Sequence, residues 1–519
     1  MSRRGAHRPA RALVALVSLL AGAVVATVSA PGSAATITQQ QFVKMLKASS
    51  AYRLISGPGQ EGLRLLTRSR TATSSGGSGQ SVAPSALPRR PLLPLPPPNV
   101  RVNDPTTDGV GHPDLTTQSE VTIAQSGSNV VAGYNDDGTS PPPFGGFLSP
   151  ATDVTGYSWS PDGGTTWHDS QLPNRSPSIN LGDPVLATDR TGRFFFANLS
   201  LNQVARRVDV SVGRSNDGGQ TFSKPVVVSS KHADTFSDKP WMAIGRSPTD
   251  PSKDVVYVAW SDFFFDPHTG DFGTRILLTS SPDLGATWGT PVAVVTQPGL
   301  VQHRQIYVSG VSLAVGPGTG RLYVAWEQFV DVLHGGGVFK IRHEVVTTSR
   351  DGGAHFRHPV VAAQPSRIGR LNPICGDVLT FGAGHPVRVQ EFPSIGVGPG
   401  GQVLLAYNGK NAAGNVQVHV ARSMDRGATW TRSVLAGPPD AFMPALSADP
   451  TGVSVVYYQR VPTAKLKSGI ATSADGSTYA TQDLSDMSFH VPITLPPFDP
   501  FTAPCYMGDY LGVHRSAGT

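Results

Sequence analysis

Ser160-Pro161-Asp162-Gly163-Gly164-Thr165-Thr166-Trp167 is the stretch that decides the fold, because the same eight-residue pattern returns along the chain. It recurs as Ser215-Asn216-Asp217-Gly218-Gly219-Gln220-Thr221-Phe222, Ser281-Pro282-Asp283-Leu284-Gly285-Ala286-Thr287-Trp288, Ser349-Arg350-Asp351-Gly352-Gly353-Ala354-His355-Phe356 and Ser423-Met424-Asp425-Arg426-Gly427-Ala428-Thr429-Trp430. A sixth copy, Ser473-Ala474-Asp475-Gly476-Ser477-Thr478-Tyr479, is one residue shorter. The spacing has a mechanical reason. The Asp carboxylate accepts turn N–H groups, the glycine takes a positive φ, and the aromatic ring folds back under the hairpin. Successive Asp residues are 55, 66, 68, 74 and 50 positions apart, room for one four-stranded unit per copy.

A second repeat lies upstream of each turn. Glu120-Val121-Thr122-Ile123, Asp183-Pro184-Val185-Leu186, Asp238-Lys239-Pro240-Trp241, Gly310-Val311-Ser312-Leu313, Glu391-Phe392-Pro393-Ser394 and Met443-Pro444-Ala445-Leu446 each open an apolar strand. From about residue 100 the chain is a run of short Val-, Ile-, Tyr-, Phe- and Trp-rich segments punctuated by Gly, Pro, Asn and Asp, without helical periodicity. The expectation is an all-β, six-bladed β-propeller over 100–519. Gly508-Asp509-Tyr510-Leu511 resembles one more strand opening and leaves seven blades as the alternative.

The repeat, Ser-x-Asp-x-Gly-x-Thr-Trp/Phe, resembles that of the sialidase-like (bacterial neuraminidase repeat, Asp-box) propellers. The resemblance implies that the box aspartates Asp162, Asp217, Asp283, Asp351, Asp425 and Asp475 are structural and lie on the rim. It also implies an active site built from three arginines, the first in an Arg-Ile-Pro motif, with a Tyr/Glu nucleophile pair and an Asp acid/base. No Arg-Ile-Pro occurs in the chain; the corresponding strand reads Gln118-Ser119-Glu120-Val121-Thr122-Ile123. Arg304, Arg388 and Arg460 fall in segments that reach toward the central face, but none sits in a motif that carries the triad over.

The strand openings are acidic instead: Glu120, Asp183, Asp238 and Glu391, with Asp440 and Asp509 nearby. Crowded carboxylates push one another's pKa values apart, which is how an acid and a base or nucleophile arise for glycoside hydrolysis. These four are the catalytic candidates, with Arg304 and Tyr510 as substrate-binding candidates. The competing readings are that the carboxylates cap strand N–H groups or pair with Lys239 and nearby arginines, or that they bind a cation. No cofactor is expected; calcium is the one ion that the oxygen-rich turns Asp104–Gly109 and Asn135-Asp136-Asp137-Gly138 suit, although neither has the spacing of a dedicated loop.

Before the repeats, Arg3, Arg4, Arg8 and Arg11 precede an apolar run from Leu13 to Val28 and small residues up to Ala35. That order predicts a signal peptide over 1–35 and a secreted product, with a retained membrane anchor as the other reading. Its four arginines take the formal charge from +6 down to +2, so the basic balance does not indicate a nucleic-acid partner. Residues 36–70 carry apolar residues at helical spacing, and 71–99 read as a Ser/Gly- then Pro-rich linker. Export makes a disulfide between the two cysteines, Cys375 and Cys505, the expectation, with two buried thiols as the other reading. Two functions follow as expectations: a carbohydrate-active hydrolase, or a non-catalytic propeller that binds an extracellular glycan or glycoprotein. The sequence leaves substrate and oligomeric state open.

Overall fold

The structure is a computed structural model that describes residues 38–67, 98–104, 118–136, 154–229, 235–268, 270–301, 304–334, 337–372, 375–381, 385–435, 440–462, 465–491 and 505–516. The signal segment 1–35, most of the 71–99 linker, and the turn residues 105–109 and 137–138 lie outside the described residues.

The described chain is all-β apart from two α-helices and short 3-10 turns. Six antiparallel sheets of four or more strands span 118–171, 178–227, 235–297, 299–363, 394–434 and 441–490, each built from strands consecutive in sequence. A three-stranded sheet, 370–388, is inserted after the fourth. Neighbouring sheets meet through one long strand each: Gln118–Ser126 on Ser178–Thr188, then Thr235–Arg246, Arg304–Val315, Ser394–Val397 and Ala441–Asp449 in turn. Residues 505–516 lie between the last of these and the first. Gly512 packs on the backbone of Val121 and Thr122, while Arg515 N–H donates to Ser447 Oγ at 3.0 Å. This arrangement is consistent with a β-propeller.

Burial on both faces explains why the middle strands read as unbroken apolar runs rather than alternating ones. Phe194, Phe195 and Phe196 are successive and all fully buried. Phe195 joins the core shared with the third sheet, whereas Phe194 and Phe196 face the first sheet, packing with Tyr157 and Phe222. No helix among the described residues is long and apolar enough to cross a membrane.

All six Asp-box sequences are turns, joining the third and fourth strands of their sheets in five cases and the fourth and fifth in the five-stranded sheet 299–363. In the first, Asp162 Oδ1 accepts from the Thr165 and Thr166 N–H groups at 3.0 and 2.8 Å, and Oδ2 from the Thr166 hydroxyl at 2.7 Å. Ser160 Oγ donates to the same carboxylate and accepts from Gly164 N–H, and the Trp167 indole closes onto Gly164 O at 2.9 Å. These bonds hold Asp162 down to about 2, the Thr166 N–H contributing most. In the fourth turn His355 takes the threonine's place on Asp351.

The long strands share a second device. Five of them carry a β-bulge at the same level, with a residue of positive φ in it: Glu120, Asp183, Lys239, Gly310 and Met443. A bulge kinks the strand and re-aims its side chains. At Gly310 the glycine is required, because a Cβ there would meet the Phe392 ring at 1.9 Å.

Residues 38–67 fold onto these sheets. Thr38 and Gln41 form a capping box that starts α1, Gln39–Ala48. Its apolar spacing buries Phe42, Val43 and Leu46 on one face, with Phe42 edge-on to Phe272 at 5.2 Å between centroids. A 3-10 turn, Ser50–Leu54, leads into α2, Gly57–Thr67, which packs on the second sheet near Leu181 and Val208.

Candidate functional site

The bulges turn the strand openings inward beneath residues 53–59, and two linked networks of charge form there.

The first network gathers Glu120, Asp183, Asp238, Lys239, Arg388, Tyr506 and Asp509, all buried. Asn135 Nδ2 donates to Glu120 Oε2 at 3.1 Å, and its carbonyl oxygen accepts from Asp183 N–H at 2.9 Å. The Tyr506 hydroxyl and the Asp509 N–H both donate to Glu120 Oε1. Asp183 Oδ2 accepts from Lys239 N–H at 3.1 Å. Burial, and then the carboxylates of Glu120 and Asp238, hold Asp183 well above the usual carboxylate range. Burial also raises Asp238, against the pull of Lys239 and two bonds from Ser56: N–H to Oδ2 at 2.9 Å and Oγ to Oδ1 at 2.6 Å. Asp509 is the ionised centre. Burial opposes its charge, but Arg388, at 2.7 and 3.0 Å, and the Lys239 ammonium hold its pKa down.

The second network is Glu327, Glu344 and Glu391 with Arg342. Glu327 and Glu344 are direct cross-strand partners, on Leu322–His334 and Gly337–Ser349. Both are completely buried, and among the described residues no donor is bonded to either oxygen of Glu344. Burial raises all three glutamates, helped by Glu391 at Glu327, by Glu327 and Glu391 at Glu344, and by Asp377 at Glu391. Arg342 lies 3.4 Å from Glu327 and 3.4 Å from Asp331, and Arg367 forks onto Asp377. Arg53, from the 3-10 turn, reaches Asp331 at 2.7 Å.

The sequence candidates fall into these networks unequally. Glu120, Asp183 and Asp238 meet in the first, Glu391 belongs to the second, and its Oε1 accepts from Ile368 N–H at 2.7 Å. Tyr510 donates to Pro184 O at 2.9 Å and stands edge-on to Trp241. Arg304 is exposed at the first residue of its strand, apart from both networks, and Arg460 pairs with Asp440 at 3.2 Å. The cysteines are joined as Cys375–Cys505. Asn135 is committed to Glu120 and Asp183, and no group of three potential metal ligands occurs among the described residues. Glu327, Glu344 and Ser56 were not singled out from sequence. An acid inside an otherwise apolar middle strand, as in Tyr323-Val324-Ala325-Trp326-Glu327, is the signal that marks the first.

Further along the same strands, beyond the bulges, Val121, Val185, Trp241, Leu313, Ile395 and Leu446 line a cavity of about 350 Å³. It is mostly aliphatic and backbone, and has none of the acids described above.

No family profile matches the chain. No curated protein matches it either. Among solved structures, a protein of unknown function from Dyadobacter fermentans is similar at 16% identity over 69% of this chain and 94% of that one, with a TM-score of 0.40. The GH93 α-L-arabinofuranosidase of Fusarium graminearum is similar at 14% identity over 75% of this chain and 98% of its own, TM-score 0.44. The Hadza microbial sialidase Hz136 is similar at 15% identity over 72% and 66%, TM-score 0.39.

Proposed function

We propose that the chain is an exported, carbohydrate-active, six-bladed propeller of the sialidase-like kind, hydrolysing neutral rather than acidic glycosides with the carboxylates at its strand openings. Six sheets in ring order, with the 505–516 tail between the sixth and the first, support six blades over seven. The observation that carries the substrate reading is the state of the guanidiniums. Arg388 is forked onto Asp509, Arg342 lies between Glu327 and Asp331, and Arg367 is forked onto Asp377. None is free to clamp a sugar carboxylate, the fork that an acidic sugar needs. In this reading Asp238 is the carboxylate a substrate meets, with Glu120 and Asp183, whose pKa burial raises, behind it. Glu391 supports the same face from the second network, and export rests on the N-terminal charged and apolar run.

The second reading, a non-catalytic extracellular propeller that binds glycan or protein, is favoured by one observation. Asp238 is completely buried with both its oxygens bonded by Ser56, and Glu120 is bonded by Asn135, Tyr506 and the Asp509 N–H, so neither carboxylate stands open to a substrate. A panel of neutral glycosides and sialosides separates the two. Hydrolysis of a neutral glycoside that disappears in Asp238→Asn supports the enzyme; binding without turnover supports the second reading; cleavage of sialosides alone overturns the substrate class.

A further inference from the structure

Residues 53–59 treat the acidic face as a ligand would. Ser56 presents two donors, its N–H and its hydroxyl, to the two oxygens of Asp238 at 2.9 and 2.6 Å. Ile55 presents a carbonyl oxygen to the Arg388 Nη2 at 2.8 Å, beside the bond that the same nitrogen donates to Asp509 at 3.0 Å. Two glycines let the backbone lie this close. A Cβ at Gly57 would stand 2.7 Å from the Tyr506 ring, and one at Gly59 2.4 Å from Asp238 Oδ1. Two adjacent donors on one carboxylate, with an acceptor oxygen alongside on a guanidinium and an aromatic ring beneath, is the set of groups that a neutral sugar ring offers through vicinal hydroxyls, an acceptor oxygen and its C–H face.

We propose that the Arg53–Gly59 segment is an internal occupant of a neutral-sugar site, and that a sugar with vicinal hydroxyls binds by displacing it, placing the diol on Asp238 and an oxygen on Arg388. The inference rests on the function proposed above and adds the occupant and the pose. The segment is tethered to this face by Arg53 on Asp331, at the edge of the second network, so the tether can be weakened without touching Asp238 or Arg388. Because ligand binds only the fraction of molecules with the segment displaced, loosening it raises apparent affinity by the factor by which that fraction grows.

The test uses the full mature chain with Arg53→Ala, Ser56→Ala and the double variant, and titrates methyl glycosides of neutral hexoses and pentoses, with N-acetylneuraminic acid as the acidic comparison. Binding is read by calorimetry, and opening by amide hydrogen exchange at 51–60. Faster exchange at 51–60 together with neutral-sugar binding at least tenfold tighter in the double variant is the expected result, the single variants falling between. Should the double variant fail to fold, the wild-type chain decides: saturating neutral sugar speeds exchange at 51–60 if the segment is displaced and leaves it unchanged if it is not. Unchanged affinity in a variant whose exchange has risen, or equal gain for the acidic sugar, overturns the inference. Failure of the enzymatic reading looks different, as sugar binding that tightens as expected with no product formed.

Discussion

The Tyr506 hydroxyl donates to Glu120, joining the end of the described chain to the opening of its first strand across 386 positions. Neither group can be spared cheaply, because both are buried and, among the described residues, the other donors bonded to Glu120 are Asn135 and the Asp509 N–H. Tyr506→Phe removes one bond to a charged acceptor and is expected to lower stability by about 1.5–3 kcal/mol. Urea unfolding followed by tryptophan fluorescence measures it; a loss under about 0.5 kcal/mol would mean that the contact does not fasten the tail.

The residue before Tyr506 is the disulfide partner Cys505, whose carbonyl also accepts from Arg388 N–H at 2.7 Å. The Cys375–Cys505 bond closes a 130-residue separation and holds Tyr506 and Asp509 in register with the acidic network. The paired Cys375→Ser, Cys505→Ser variant is expected to lose about 2–5 kcal/mol. Hydrogen exchange should show 505–516 opening first, ahead of the sheets.

Asp425 sits in an exposed turn where the Thr429 hydroxyl and N–H and the Ser423 hydroxyl hold its carboxylate down to about 2. A depressed folded pKa stabilises the fold above the unfolded carboxylate's value of about 4 and loses that effect as pH falls through the folded one. The melting temperature of Asp425→Ala should therefore lie below that of the parent at pH 6, and the gap should narrow as pH falls toward 2. The turn is exposed and touches neither acidic network, so the sugar binding proposed above is expected to stay as it was.

Glu344 behaves in the opposite sense. Burial and the facing Glu327 raise it, so its neutral form favours the fold, an effect complete below about pH 4 and lost as pH climbs through the raised value. Glu344→Gln keeps the shape and removes the ionisation. The variant is expected to match the parent near pH 4 and to exceed it at pH 8, by about 1.4 kcal/mol for each unit of upward shift. Thermal melts across pH 4–9 check this; a variant less stable than the parent at pH 8 would show that Arg342 requires both negative charges.

The all-β class and the succession of four-stranded units were legible because they depend on local rules. An Asp-box turn is closed by atoms within five residues of each other, as Ser160, Asp162, Gly164 and Thr166 show, so its chemistry is written in consecutive letters. The same holds for the apolar runs, whose lack of alternation follows from burial on both faces. The candidate site was only half legible. Acids at successive strand openings marked Glu120, Asp183 and Asp238, since a repeat places equivalent positions on one end of the ring. Nothing local showed that Glu391 would instead lie with Glu327 and Glu344, because that grouping depends on where the inserted sheet 370–388 leads the chain back.

By itself, then, the sequence determined the repeated unit, its turns and the acidic character of one end, all of them contacts of short range. Only the tertiary structure decided what those acids face. Ser56 meets Asp238 across 182 positions, Arg388 meets Ile55 across 333, and Tyr506 meets Glu120 across 386. Such pairings have no periodicity to read, since they are fixed by how sheets far apart in sequence pack together and by which segment they leave room for.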